Sequence, residues 1–199
     1  MVGPLDPSAT LLVGQTGNVA QINSDGTVPH IIKPVTSYTY YSGSLTITAA
    51  TAATDIWTIA GSATKTVRVL KIELTGTQTT AGQVTVILQK RLSANTGGTT
   101  TTYLGNPMDT NNPPCTVTLT QYSANPASLG ASGGAIRTGQ FFFPGAATAT
   151  PGQYIQWQFG NTSDQAAVLR GTSQLIAVNL NAVTVAGGTF FVNAVWTEE

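Results

Sequence analysis

The chain has 199 residues, enough for one sizeable domain with an appendage, and a core of that size needs no disulfide or metal to fold. Its net charge is zero, only 8% of residues are charged and the pI is near 6.5. That balance argues against a nucleic-acid partner, because such a chain lacks the overall basicity that releases counterions from a phosphate backbone.

Threonine occupies 34 positions, and no long Leu/Glu/Lys/Ala segment repeats with a 3.6-residue period. Threonine suits a half-wet pleated surface and disfavours helices, so the composition predicts an all-β protein whose exposed faces are polar without being charged. The opening MVGPLDPSATLLVG has no basic segment and only a three-residue apolar run, and no stretch of 18 apolar residues follows. We therefore expect neither a signal peptide nor a membrane span.

Residues 1–36 carry Pro4, Pro7, Pro29 and Pro34 among several glycines, with scattered apolar residues that cannot enclose a core. They predict an extended N-terminal arm, residues 1–36, ahead of a β-sandwich domain, residues 37–199. Leu11, Leu12, Val13, Ile22, Ile31 and Ile32 are too apolar for a solvated linker, so they are the candidate partner-contact residues.

From Tyr38 the strands come at short intervals. Leu45 and Ile47 suggest a short strand, and Asp55 to Ile59 a second. Two β-branched runs then flank a Thr/Gly/Gln connector between Lys65 and Leu92, a pattern that predicts a long hairpin. In its first run Val67 and Val69 share one parity, whereas Leu70, Ile72 and Leu74 share the other, so a bulge or bend is expected near Leu70. In its second run Val84, Val86 and Leu88 should face a core. Lys65, Arg68, Lys71, Lys90 and Arg91 are five of the eight basic residues, and their expected place is the solvated face of this hairpin.

The stretch from Ser93 to Pro114 should be a surface excursion with a strand near Thr101 to Leu104. Val117 and Leu119 alternate with threonines, 125–134 suggests a loop, and Ile136 to Phe143 a strand. Ile155, Trp157 and Phe159 then alternate cleanly with polar residues, which places an aromatic face in the core. Phe190, Val192, Ala194 and Trp196 mark one face of a last strand. Eight to ten short strands without helices predict an antiparallel β-sandwich, and the long connections lean toward a jelly roll.

Few residues offer chemistry. The only histidine, His30, lies in the proline-rich arm, so a serine nucleophile has no evident base, and Cys115 is a lone cysteine expected to be a small buried filler. No metal site is expected, since the oxygens of Asp109, Asn111 and Asn112 suit an Asx-turn cluster better than a calcium loop. A glycosidase would need two carboxylates, and the β-domain offers Asp55, Glu73, Asp109 and Asp164 besides the terminal Glu198 and Glu199. Glu73 should lie on a wet face in an ion pair with a nearby basic residue. Tyr38, Tyr40 and Tyr41 could stack on sugars or pack against a sheet. Asn161-Thr162-Ser163 fits a turn as well as a glycosylation pattern. No catalytic residue, cofactor or metal ligand is assigned.

The runs Thr54 to Ile59 and Lys65 to Val69, the loop entry Lys90 to Thr99, and the segments Val168 to Gly171 and Trp196 to Glu199 resemble virion structural proteins of tailed bacteriophages. The likeness covers about residues 44–199. It implies a non-enzymatic β-domain on the capsid exterior or tail, either a capsid decoration (cement) protein or a fibre, and no catalytic residue carries over. The expected protein is a homo-oligomer such as a trimer, made in the host bacterial cytoplasm and incorporated into the virion. Its expected partners are itself and virion proteins such as the major capsid protein, with no nucleic acid and no membrane. The alternative is a tail or head fibre module that binds host surface carbohydrate.

Overall fold

A computed structural model describes residues 36–41, 45–47, 54–145, 154–160, 165–181 and 188–199. All of them belong to the unit Val35–Glu199, one of two into which the chain divides. Leu11, Leu12, Val13, Ile22, His30, Ile31 and Ile32 lie outside the described residues, as do Asn161 to Asp164.

The described residues form thirteen strands and no helix. They are β1 (Ser37–Tyr41), β2 (Leu45–Ile47), β3 (Asp55–Ala60), β4 (Val67–Gln78), β5 (Gly82–Arg91), β6 (Thr99–Tyr103) and β7 (Asn106–Pro107). After them come β8 (Leu119–Ala124), β9 (Ser132–Phe143), β10 (Ile155–Gln158), β11 (Ala167–Leu169), β12 (Leu175–Asn179) and β13 (Gly188–Glu198). One sheet runs β10-β4-β13-β1-β7, with β11 also paired to β4 and β2 to β13; the other runs β6-β8-β3-β12-β5-β9. Every strand pair is antiparallel. The chain is therefore a two-sheet antiparallel β-sandwich with its apolar side chains between the layers.

The expected hairpin from Lys65 to Leu92 is not one. β4 pairs with β10, β11 and β13, while β5 pairs with β12 and β9, so residues 79–81 carry the chain from one sheet to the other. Side-chain alternation is the same in either arrangement. In a hairpin the two apolar stripes lie side by side, whereas here they meet face to face across the core.

The alternation itself holds. Val84, Val86 and Leu88 are buried, as are Phe190, Val192, Ala194 and Trp196. On β4 the buried set changes from Val67 and Val69 to Ile72 and Leu74. Where it changes, β13 slips register: Val195 opposes Lys71 but Trp196 opposes Val69, so Leu70 is an extra residue in the ladder. On the other side of β4 the neighbour changes at the same point, with Gln158 of β10 opposite Lys71 and Ala167 of β11 opposite Val69. An inserted residue restores the apolar face after a parity change, the bulge being one of the two outcomes expected from the sequence.

Aromatic pairs join the layers. Tyr40 stacks on Trp57 with ring centroids 6.0 Å apart, Phe143 meets Phe190 edge-on at 5.0 Å, and Phe141 meets Trp157 edge-on at 5.9 Å. Each pair takes one ring from each sheet. Gln121 Nε2 also donates to the Tyr40 hydroxyl at 2.5 Å across the core. Burial pushes the Tyr40 phenol up to about 12.

Candidate functional site

The acidic residues of the sandwich are mostly engaged in holding strands and loops. Asp55, at the start of β3, is fully buried and receives four hydrogen bonds. Arg91 grips it with Nε at 3.0 Å and Nη2 at 2.8 Å, Asn95 Nδ2 adds one at 2.9 Å and Asn179 Nδ2 one at 2.7 Å. The second groups of these partners extend the network. Arg91 Nη1 donates to the Gly130 carbonyl at 3.2 Å, and Asn95 Oδ1 accepts from the Gly130 N–H at 2.8 Å. Backbone bonds between Thr96 and Ser128 and from Leu92 to Ala131 hold the loops beside β5 and β9 together over this carboxylate. Those loops turn an outward-facing acid into a closed one.

Glu198 is a second buried carboxylate. It accepts from the Thr116 N–H, from Thr116 Oγ1 at 2.6 Å and from Trp196 Nε1 at 3.1 Å, with Lys65 Nζ 3.5 Å away. It continues the even-numbered face of Phe190, Val192, Ala194 and Trp196, so parity already placed it inward. Glu73 lies on the other parity of β4, paired with Lys71 Nζ at 2.7 Å and hydrogen-bonded by Tyr154 and Asn193. Burial alone would raise its carboxyl. The hydrogen bonds from Lys71, Tyr154 and Asn193, together with the Lys71 charge, outweigh burial and hold it below the usual 4.5.

The five basic residues expected on one solvated face are divided. Lys65, Arg68 and Lys71 pair with Glu198, Glu199 and Glu73, Lys90 Nζ donates to the Val168 carbonyl at 3.0 Å, and Arg91 is buried on Asp55. Arg91 is the main correction: no periodic signal announces a guanidinium that distant loops enclose. Tyr38 and Tyr40 are buried and present no sugar-stacking face. The Asp109 loop is an Asx turn, with the Asn111 N–H donating to Asp109 Oδ1 at 2.9 Å. Cys115 is buried and its Sγ accepts the Gly105 N–H at 3.0 Å, consistent with a filler. Among the described residues no group of three or more His, Cys, Asp or Glu could hold a metal ion, and no helix is long and apolar enough to cross a membrane.

What remains open to a ligand is a cleft of about 440 Å³ on the outside of the second sheet. Cross-strand register builds it: Thr58 on β3 opposes Thr120 on β8, which opposes Thr102 on β6. Thr100, Thr118 and Tyr122 extend this wall, and Asn95, Gly97 and Gly98 close one side. A second cleft of about 410 Å³ lies among Lys90, Ile136, Val168, Arg170 and Gln174. Neither has a carboxylate, imidazole or thiol in its lining. The chemistry they offer is hydroxyl and amide hydrogen bonding, with two cationic side chains in the second.

Comparison of the chain with protein-family models, with curated proteins and with solved structures found no match.

Proposed function

We propose that this chain is a non-enzymatic structural protein of a tailed-bacteriophage virion, and that it acts as a capsid decoration protein on the head exterior. The observation that carries the reading is the use made of Asp55, Glu73 and Glu198. Each of these carboxylates is held by neighbouring side chains and none lines either cleft, which supports a binding role over paired acid–base chemistry of the glycosidase kind. A sandwich with a hydroxyl-rich, weakly charged surface is suited to binding by shape on another protein. In this reading the sandwich has a jelly-roll-like chain path, it assembles as a homo-oligomer, and residues 1–36 attach it through Leu11, Leu12, Val13, Ile22, Ile31 and Ile32.

The threonine-walled cleft favours one other reading, a tail or head fibre module that binds host surface carbohydrate. The two differ in copy number. Quantitative gel staining of purified particles should show this chain in amounts comparable with the major capsid protein. A few copies per particle would replace the decoration role with the fibre role, and absence from particles would end both.

A further inference from the structure

The sandwich exposes sheet margins, and most of them carry features that discourage pairing with another chain. β7 is two residues long and contains Pro107, while β2 has three residues, β10 four and β11 three. β9 is long, but its register against β5 shifts twice, Gly134 takes a positive φ of 101°, and Arg137 projects from it.

β6 carries fewer of these devices. Its five residues, Thr-Thr-Thr-Thr-Tyr, are all exposed and include no charge, proline or glycine. Its single register shift, between Thr99 and Thr100, leaves Thr100 to Tyr103 in an unbroken ladder with β8. Among the described residues β6 pairs with β8 alone, and the outer edge of such a strand offers backbone N–H and C=O groups to a partner. A second observation falls on the same strand: Tyr103, its last residue, and Leu104, the next, are two of the six large apolar side chains that the described residues expose.

We propose that β6 is a self-association edge, at which two copies of this chain pair their β6 strands antiparallel about a two-fold axis and join their second sheets into one. Its sequence complements itself. An axis at Thr101 sets Thr101 against Thr101, Thr100 against Thr102 of the other copy and Thr99 against Tyr103, all uncharged pairs of residues favoured in strands. The same symmetry brings two copies of the Tyr103–Leu104 corner to the ends of the new ladder, where apolar surface leaves water. With no net charge on the chain, no long-range repulsion opposes the contact. The proposal deepens the homo-oligomer reading and does not depend on the virion role.

The test uses the full chain and sedimentation analysis. The parent should sediment as a dimer or a multiple of one. Thr101→Lys, which would set two like charges opposite each other at the axis, should weaken association by roughly tenfold or more while the melting of the domain is retained. Thr101→Cys should give a covalent dimer with a short thiol-specific bifunctional cross-linker, because residues facing each other across such an axis have Cβ atoms about 4.5–5.5 Å apart, slightly beyond the span of a direct disulfide. Thr138→Cys, on the exposed face of β9, should not. A monomeric parent, unchanged association of Thr101→Lys, or failure of Thr101→Cys to cross-link would overturn the proposal. A trimer unaffected by Thr101→Lys would do so while leaving homo-oligomerisation itself intact.

Discussion

Replacing Arg91 with methionine should be among the most damaging single changes outside the apolar core. The substitution keeps much of the side-chain volume but removes two hydrogen bonds, at 3.0 and 2.8 Å, from a carboxylate that has no access to water. Two neutral donors, Asn95 and Asn179, would be left to hold the Asp55 charge. Breaking a buried ion pair from one side costs about 3–5 kcal/mol, and these donors favour the lower half of that range. For a domain of this size each kcal/mol lowers Tm by about 2–4 °C, so a fall of roughly 10 °C is expected. Urea unfolding at neutral pH gives the free energy, and low against high salt should change the loss little because the pair is shielded from mobile ions. Asp55→Asn combined with Arg91→Met should be less destabilised than the two single losses added together, since neither charge is then left alone. Gly130 should also exchange its amide hydrogen faster in Arg91→Met, because its carbonyl loses Arg91 and its loop is then tied to Asp55 through Asn95 without the guanidinium. A parent-like Arg91→Met, within about 0.5 kcal/mol, would refute the closed network.

Trp157→Ala should cost about 3–5 kcal/mol, measured by urea unfolding, because the ring is buried against Phe141; a near-parental midpoint would mean that the face of β10 is open. Glu73 should make stability depend on acid pH. Its folded pKa lies below 4.5, so its contribution is fully present above that value and is lost as pH falls through the folded pKa; the gap between parent and Glu73→Gln should close in acid. Tyr40 acts at the other end. Its folded pKa of about 12 exceeds the ordinary 10.0, so its contribution is complete below pH 10.0 and is lost as pH rises through about 12; Tyr40→Phe should flatten that alkaline loss in a pH series of thermal melts.

The parts of this fold that were legible in the sequence are those set by alternation along one strand. The inward faces of β5, β10 and β13 follow from period-2 patterns, and the parity change at Leu70 called for a bulge or a bend, of which the structure has the inserted residue. Alternation says which side chains face a core but not from which layer, so β4 and β5 were indistinguishable from a hairpin until their partners were known. The burial of Arg91 on Asp55 was not legible because it depends on loops around Asn95 and Gly130 that close over the outside of the second sheet. Glu198 differs. Its place in the Phe190-to-Trp196 series was a usable signal, and a carboxylate on a core face calls for the donors that Thr116 and Trp196 supply. The threonine row of the cleft needed the register of three strands, which no single segment encodes.

The central claim, attachment to a phage head through residues 1–36, is tested most directly by adding purified protein back to particles that lack it and measuring occupancy by cryo-electron microscopy. Five apolar side chains of the arm, Leu11 to Val13 with Ile31 and Ile32, would contribute about 1.5–3 kcal/mol each if buried, ample for docking after ordering entropy is subtracted. The arm's charged side chains are only Asp6, Asp25 and Lys33, so occupancy should change little between low and high salt. The account predicts saturable decoration of the head exterior by the full chain and none by a chain beginning at Ser37 that still melts cooperatively. Undiminished decoration by that shorter chain would move the attachment surface onto the sandwich, and failure of the full chain to bind would contradict the decoration role itself.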